Sequence, residues 1–389
     1  MSVQERAKEI YPGFEQGPIR PPSEAHSLLI RVTRNCPWNR CTFCPVYKGR
    51  KFSRRPVSHV KEDIDSVYKH VEALRQITDL RADSARDENR KVARRVPPSE
   101  LSAFNAACHW YFSGGMKSVF LQDADALVVK PRDLAAILLH LRKRFPSVER
   151  ITAYSRSRTI ASRKDSDLEA LAAAGLNRLH VGLESGSDRV LERAAKGVTK
   201  EKHIAAGLKV KRAGIELSEY IMPGLGGREL SEVHAAETAD AVNRIDPDFI
   251  RLRTLAIPHQ APLFEEYTAG RFQKCTDQMV AKEILLFIES LRGITSIIKS
   301  DHILNLFGDL EGVLPQDRDH LMGMLRSYLK LDPEQQRLYQ VGRRLGMFCG
   351  IGDMDNVSAL GEAKRVCGEL GVTAENVDRI TDELMTRYV

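Results

Sequence analysis

The sequence has no long apolar run. Nothing in its 389 residues approaches the roughly 20 consecutive apolar residues of a membrane span. The N-terminal stretch MSVQERAKEIYPG is charged where a secretory signal would be apolar, so the chain reads as cytoplasmic, with no membrane partner. Aromatic residues are scarce at 6%, and no RNA-binding signature occurs; both weigh against a reader of stacked bases, although nucleic acid is not excluded. Internal repeats and low-complexity tracts are absent. Cysteine is sparse and odd in number: there are seven, three of them between positions 36 and 44. Without an export signal, that usage argues against a disulfide framework and for bound metal.

What is present is an ordinary globular balance, 42% hydrophobic and 29% charged, too apolar for disorder. From residue 28 onward, short apolar runs alternate with longer amphipathic stretches, the pattern of βα units around a mainly parallel sheet. The strands are expected at 28–34, 118–123, 150–154, 178–183, 215–221 and 248–255. A polar, highly charged stretch at 81–98 reads as an insertion. After Pro258 the pattern turns helical, at 277–291, 316–331 and 358–370, with no strand of comparable quality. The expected architecture is therefore α/β: an N-terminal extension over 1–27, a partial (β/α)6 TIM-like barrel over 28–260, and a helical C-terminal domain over 261–389.

The segment NCPWNRCTFCPVY follows the first strand and sets Cys36, Cys41 and Cys44 on a loop at a strand's C-terminal end, where α/β folds gather active sites. Three thiolates on one loop suit three irons of a 4Fe-4S cubane and leave the fourth iron open to a ligand. Two other readings stay open here. Structural zinc wants a fourth closed ligand, and His59 is the nearest histidine. Plant-type ferredoxins share the C-x4-C-x2-C spacing but need one more cysteine, and the next here is the distant Cys108. Cys275, Cys349 and Cys367 match no cluster signature and read as buried structural thiols, with an auxiliary cluster as the other option.

The formal net charge is +7, with basic runs at Arg50, Lys51, Arg54 and Arg55 and at Arg90, Lys91, Arg94 and Arg95. These read as solvated faces, or as attraction for a small anionic substrate. Side-chain alternation puts Leu179, Val181 and Leu183 on one face of the fourth strand and His180, Gly182 and Glu184 on the other. On the sixth strand, Arg251 and Arg253 alternate inward with Phe249. Two inward arginines need anionic partners: either Glu184 or Asp123, or a substrate carboxylate or phosphate. Tyr154, Arg156 and Arg158 alternate at the end of the third strand, and the two arginines read as solvated. In SDHILNLF, Asp301 reads as a helix cap beside an exposed His302, with a catalytic pair as the other option.

These residues resemble the radical S-adenosylmethionine superfamily, and the likeness runs through the whole six-strand region. That family typically spaces its cysteines C-x3-C-x2-C with an aromatic before the last. Here Phe43 is that aromatic, and the first gap holds one extra residue. VFLQDADAL stands where the family receives the methionine amino group, which implies Asp123 and Asp125, although the usual double glycine is missing. HVGLESGSDRVL looks like the fourth strand of oxygen-independent coproporphyrinogen oxidases and methylthiotransferases, implying that Glu184 contacts the cosubstrate. By the same resemblance Lys196, in AAKGVT, pairs with the methionine carboxylate. EYIMPGLGG implies a turn near the adenosine at Gly224, and Tyr154 is placed near the cosubstrate.

The resemblance implies one 4Fe-4S cluster, S-adenosylmethionine as cosubstrate, oxygen sensitivity, and an external reductant such as ferredoxin or flavodoxin. The leading expectation is a radical enzyme acting on a small, anionic molecule. An RNA- or protein-modifying radical enzyme is the second, and a non-catalytic zinc or iron-sulfur electron-transfer protein the third. The 27 residues before the first strand are expected to leave no room for a cobalamin domain, and no OB-like strand pattern for tRNA is visible at the C-terminal end.

Overall fold

The computed structural model describes residues 10–78 and 95–385. The expected insertion at 81–98 and the basic residues Arg90, Lys91 and Arg94 thus lie largely outside the described residues. The chain forms two units that alternate along the sequence: Met1–Asn35, Lys51–Tyr154 and Ala170–Asn177 make the first, and Cys36–Arg50, Ser155–Glu169 and Arg178–Val389 make the second.

The first unit carries three parallel strands, β1 (Leu28–Arg31), β2 (Ser118–Gln122) and β3 (Arg150–Ser155), with Leu28 opposite Val119 and Ser118 opposite Arg150. Val119, Phe120 and Leu121 are all buried, so β2 reads as a continuous apolar run because both of its faces are covered. Its helices include α1 (Val57–Thr78), α2 (Leu101–Ser113) and α3 (Pro131–Arg144). α3 opens on Pro131, whose missing N–H costs nothing in a first turn. It then buries Leu134, Ile137, Leu138 and Leu141 as one stripe, each contributing about 1.5–3 kcal/mol of transfer free energy. Arg55, expected in a solvated basic run, is instead buried against Asp63, with Glu15 at 3.4 Å. A buried carboxylate draws it out of the run, while Arg50, Lys51 and Arg54 stay exposed.

The second unit holds β4 (Arg178–Glu184), β5 (Glu216–Ile221), β6 (Phe249–Leu252) and β7 (Ile297–Lys299) in parallel, and β8 (Gly312–Val313) antiparallel to β7. The α/β class with a parallel sheet is as expected, and the six strands read from the sequence are present. Strands after residue 260 were not expected. β7 is three residues long, too short for alternation to show. Helices of this unit include α4 (Ser157–Ser162), α5 (Asp188–Arg193), α6 (Lys200–Arg212), α7 (Gly227–Ile245) and α8 (Asp277–Ser290), followed by α9 (Arg318–Lys330), α10 (Pro333–Arg344), α11 (Val357–Glu369) and α12 (Val377–Met385). Thr199 and Thr276 cap α6 and α8 by accepting the Lys202 and Met279 N–H groups. α10, absent from the sequence reading, has few apolar residues but is started by an Asp332–Gln335 capping box with Pro333 in its first turn. No helix among the described residues is long and apolar enough to cross a membrane.

Candidate active site

The cysteine loop belongs to the second unit and is folded on its own backbone. Asn39 takes a positive φ of 49°, which asparagine tolerates, and donates through its side chain to the Tyr47 carbonyl at 2.5 Å. Lys48 Nζ donates to the carbonyls of Asn39 and Cys41 at 3.0 and 2.8 Å. The loop is tied to the turn after α5: Thr42 N–H reaches the Ala194 carbonyl at 3.0 Å, and Trp38 Nε1–H reaches the Ala195 carbonyl at 2.8 Å. Cys36, Cys41 and Cys44 are half-buried free thiols. Burial pushes the Cys41 and Cys44 thiols up. Lys196 acts against it at both, joined by Arg156 at Cys41 and by Arg253 at Cys44.

Lys196 Nζ donates to Glu184 Oε1 at 3.0 Å and lies 5.8 Å from the Phe43 ring centroid. Burial alone would lower the lysine's pKa, but the Glu184 carboxylate and Cys41 outweigh it and hold the pKa raised. Glu184 sits past a register shift in the β4–β5 pairing, at φ 63°, which turns its carboxylate back over Gly182. A Cβ on Gly182 would lie 2.2 Å from Glu184 Oε1 and 2.9 Å from Lys196 Nζ. Glycine is therefore required there by the ion pair itself. On β5, Glu219 is fully buried, and among the described residues neither of its oxygens has a hydrogen-bond partner of normal geometry. Burial drives its pKa well up, only partly offset by Lys196 and the Leu183 backbone.

The turn at Gly224 is held by residues that sequence reasoning missed. Gly224 has φ 85° and donates its N–H to Glu283 Oε1 at 2.7 Å. Ser231 donates to the other oxygen, and His234 Nε2 stands 3.5 Å from Glu283 and 3.1 Å from the Met222 carbonyl. Burial raises the Glu283 pKa against these partners. The available signal was a charged residue on the apolar face of α8, among Val280, Ala281, Ile284, Phe287 and Ile288.

The two arginines of the sixth strand divide. Arg251 is buried, paired with Asp301 and donating to Ser218 Oγ at 3.1 Å. Its anion is thus neither Glu184 nor Asp123, because β7 and the loop after it bring Asp301 alongside. Asp301 caps no helix, since residues 300–305 are irregular. Arg253 is exposed rather than inward, because its strand ends at Leu252. His302 is half-buried and accepts the Leu304 N–H at Nδ1, 3.2 Å away, so its Nε2 carries the proton in the neutral ring. Burial and the Arg253 charge lower its pKa to about 4 despite Asp301.

Arg156 and Arg158 are more than solvated charge. β3 has ended before them, Arg158 lies on α4, and both guanidinium groups stand over the Trp38 ring, at 4.9 and 5.7 Å from its centroid. Asp123, Asp125 and Tyr154 belong to the first unit. Asp123 is fully buried and accepts from Arg31 at 2.7 and 3.0 Å and from the Asn35 N–H at 3.3 Å, so its charge is answered within that unit. Asp125 is also fully buried. Tyr154 packs edge-on to Phe120 with ring centroids 5.0 Å apart.

Among the described residues, no three histidine, cysteine or acidic side chains converge to hold a single metal ion. A cubane makes no such demand, because each thiolate holds a different iron. Three soft sulfur donors on one loop, with Lys196, Arg156 and Arg253 favouring their ionised forms, fit a 4Fe-4S cluster.

Fold and site together describe an α/β protein with three thiols on one loop at the head of a parallel sheet, a donor set suited to an iron-sulfur cluster. The family model described as Radical SAM superfamily matches residues 30–239, just over half of the chain. The chain belongs to that superfamily, and with it come the 4Fe-4S cluster and S-adenosylmethionine as cofactors. One curated relative is the tRNA-2-methylthio-N(6)-dimethylallyladenosine synthase of Christiangramia forsetii, 26% identical over 199 residues that make up 50% of this chain and 35% of that protein. The chain thus spans about a third of that relative's length. Among solved structures, methylornithine synthase (PylB) aligns with a TM-score of 0.43 at 13% identity, covering 76% of this chain and 68% of that one. Coproporphyrinogen III oxidase (HemN) from Escherichia coli aligns with a TM-score of 0.37 at 16% identity, covering 44% and 40%.

Proposed function

We propose that this enzyme binds its cluster through Cys36, Cys41 and Cys44, cleaves S-adenosylmethionine reductively, and removes a hydrogen atom from an anionic substrate. The observation that carries the reading is the stitching of the cysteine loop to the turn bearing Lys196, whose ammonium meets Glu184 at 3.0 Å beside Phe43. When bound, the cluster supplies the electron that splits S-adenosylmethionine into methionine and a 5'-deoxyadenosyl radical. Lys196 offers its charge to the methionine carboxylate, and Glu184 offers an acceptor to the cosubstrate. The Gly224 turn, held by Glu283, lines the adenosine side.

For the substrate, Arg253 is the open cation, while Arg251 positions Asp301. With Asp301 neutralising Arg251, the local surplus is a single positive charge, which suits one carboxylate or one phosphate oxyanion. His302 adds a neutral Nε2–H donor. A reducing protein such as ferredoxin or flavodoxin completes the reaction. A second reading, modification of RNA, draws on the tRNA-modifying relative and on the basic residues around Trp38. The small-anion reading is preferred because Arg253 is a single charge, whereas RNA calls for an extended basic track.

Anaerobic reconstitution followed by an assay for 5'-deoxyadenosine tests the reaction. Cleavage is expected in the wild type, and alanine at Cys36, Cys41 or Cys44 should abolish cluster and cleavage together. A reducible cluster that yields no 5'-deoxyadenosine overturns the proposal. Arg253→Gln should leave cosubstrate cleavage intact while raising the substrate requirement.

A further inference from the structure

The Trp38 side chain gathers more positive charge than the site chemistry uses. Arg40, Arg156 and Arg158 stand 5.1, 4.9 and 5.7 Å from its ring centroid. Arg40 and Arg158 are exposed, whereas Trp38 is half-buried. The indole edge packs so tightly on Gly197 that a Cβ there would lie 2.2 Å from Cζ2. Among the described residues no carboxylate pairs with Arg40, Arg158 or Lys48, while most of the unit's other arginines are answered by an acid. Neither Arg40 nor Arg158 donates a hydrogen bond among the described residues, so both are held by the ring and present their charge outward.

This charge sits on the cluster loop itself. Arg40 immediately precedes Cys41, which fixes their Cα atoms about 3.8 Å apart. Resting on the function proposed above, which needs an electron from outside the chain, we propose that Arg40, Arg158 and Trp38, with Lys48 behind them, form the docking surface for an acidic one-electron donor protein. Unpaired cations around the point of electron entry steer such a partner and orient it with its redox group toward the cysteines. RNA fits the same surface less well. Base stacking needs an open aromatic face, and this indole is ringed by guanidinium groups and packed on Gly197.

The test follows cluster reduction rather than cosubstrate cleavage. Reconstituted holoenzyme is mixed anaerobically with reduced flavodoxin, a strongly acidic protein, and bleaching of the cluster absorbance is timed. Photoreduced 5-deazariboflavin, which carries no net charge, serves as the parallel reductant. Arg40→Glu/Arg158→Glu is expected to slow flavodoxin-driven reduction by about tenfold or more at low salt and to remove its salt dependence, with deazaflavin-driven reduction and iron content unchanged. Arg40→Lys/Arg158→Lys should retain most of the wild-type rate. Should the double charge reversal disturb cluster assembly, Arg158→Gln, off the cysteine loop, must show the same selective slowing. Equal flavodoxin rates in variant and wild type overturn the proposal, as does loss of tRNA binding with the flavodoxin rate intact, which would assign the surface to RNA. Because cluster bleaching is read, absence of 5'-deoxyadenosine would defeat the proposed reaction without touching this result.

Discussion

Gly182→Ala separates the proposed cosubstrate site from the stability of the fold. The added methyl group would sit 2.2 Å from Glu184 Oε1 and 2.9 Å from Lys196 Nζ, where real contacts begin at 3.0 Å. The carboxylate oxygen must therefore withdraw by about 0.8 Å, and the ammonium with it. Both colliding atoms are tips of flexible side chains, so the backbone need not move and unfolding free energy should change by about 1 kcal/mol or less. The pair itself cannot keep its 3.0 Å geometry. A charge-assisted hydrogen bond is worth about 1.5–3 kcal/mol, so S-adenosylmethionine affinity should fall about 10- to 100-fold. Lys196→Met is the contrast. It strands a carboxylate only 13% exposed, which costs about 3–5 kcal/mol and should lower both stability and affinity. Calorimetric titration of S-adenosylmethionine into holoenzyme, beside thermal melting, measures the two effects. Wild-type affinity in Gly182→Ala would remove the Lys196–Glu184 pair from the cosubstrate site, and a melting loss as large as that of Lys196→Met would refute the claim that only side-chain tips yield.

Three further outcomes follow from buried charge. Glu283→Ala leaves the Gly224 N–H and the Ser231 hydroxyl without their acceptor and should cost about 2–4 kcal/mol in denaturant unfolding; Glu283→Gln should cost less. Arg251→Met strands Asp301 and removes the donor to Ser218, so a loss of about 3 kcal/mol is expected, whereas Arg253→Gln at the exposed position should change stability little. For Glu219 the folded state raises the pKa, so the native protein holds a proton that the unfolded chain releases above about pH 4.3. Its stabilising contribution is complete below that pH and is lost as pH climbs toward the raised native value. Glu219→Gln should therefore gain on the wild type between acid and neutral pH, and parallel stability curves for the two proteins across that range would contradict the assignment.

The parallel strands were legible because each is a compact apolar or alternating run, and the cysteine loop because thiols are rare elsewhere. Glu184 and Lys196 could be nominated separately. Their mutual ion pair could not, since it depends on a positive φ at Glu184 and on a register shift that no periodicity displays. Arg251 and Arg253 look equivalent as a pattern. They differ because β6 stops between them and Asp301 arrives on the loop after β7, a strand of only three residues. Arg156 and Arg158 read as solvated because their anchor, Trp38, lies more than a hundred residues earlier in the chain. Pairings across long sequence separations are what a single sequence conceals.

The first cysteine gap, one residue longer than the family's usual spacing, has a structural use. Its Trp38 donates to the Ala195 carbonyl at 2.8 Å, Thr42 N–H holds the Ala194 carbonyl at 3.0 Å, and Arg156 donates to the Lys196 carbonyl at 2.6 Å. Three successive carbonyls of one turn are thus taken by donors from, or stacked on, the cysteine loop. The Trp38 and Thr42 bonds close contacts across more than 150 residues of chain, the Arg156 bond across 40, and each is partly shielded from water, where an unmade bond leaves a buried polar group unsatisfied. The turn also carries the Lys196 side chain toward Glu184. The cysteine loop and the turn bearing Lys196 are thus held to each other directly, so the proposed cluster ligands and the proposed cosubstrate ion pair share one set of supporting hydrogen bonds.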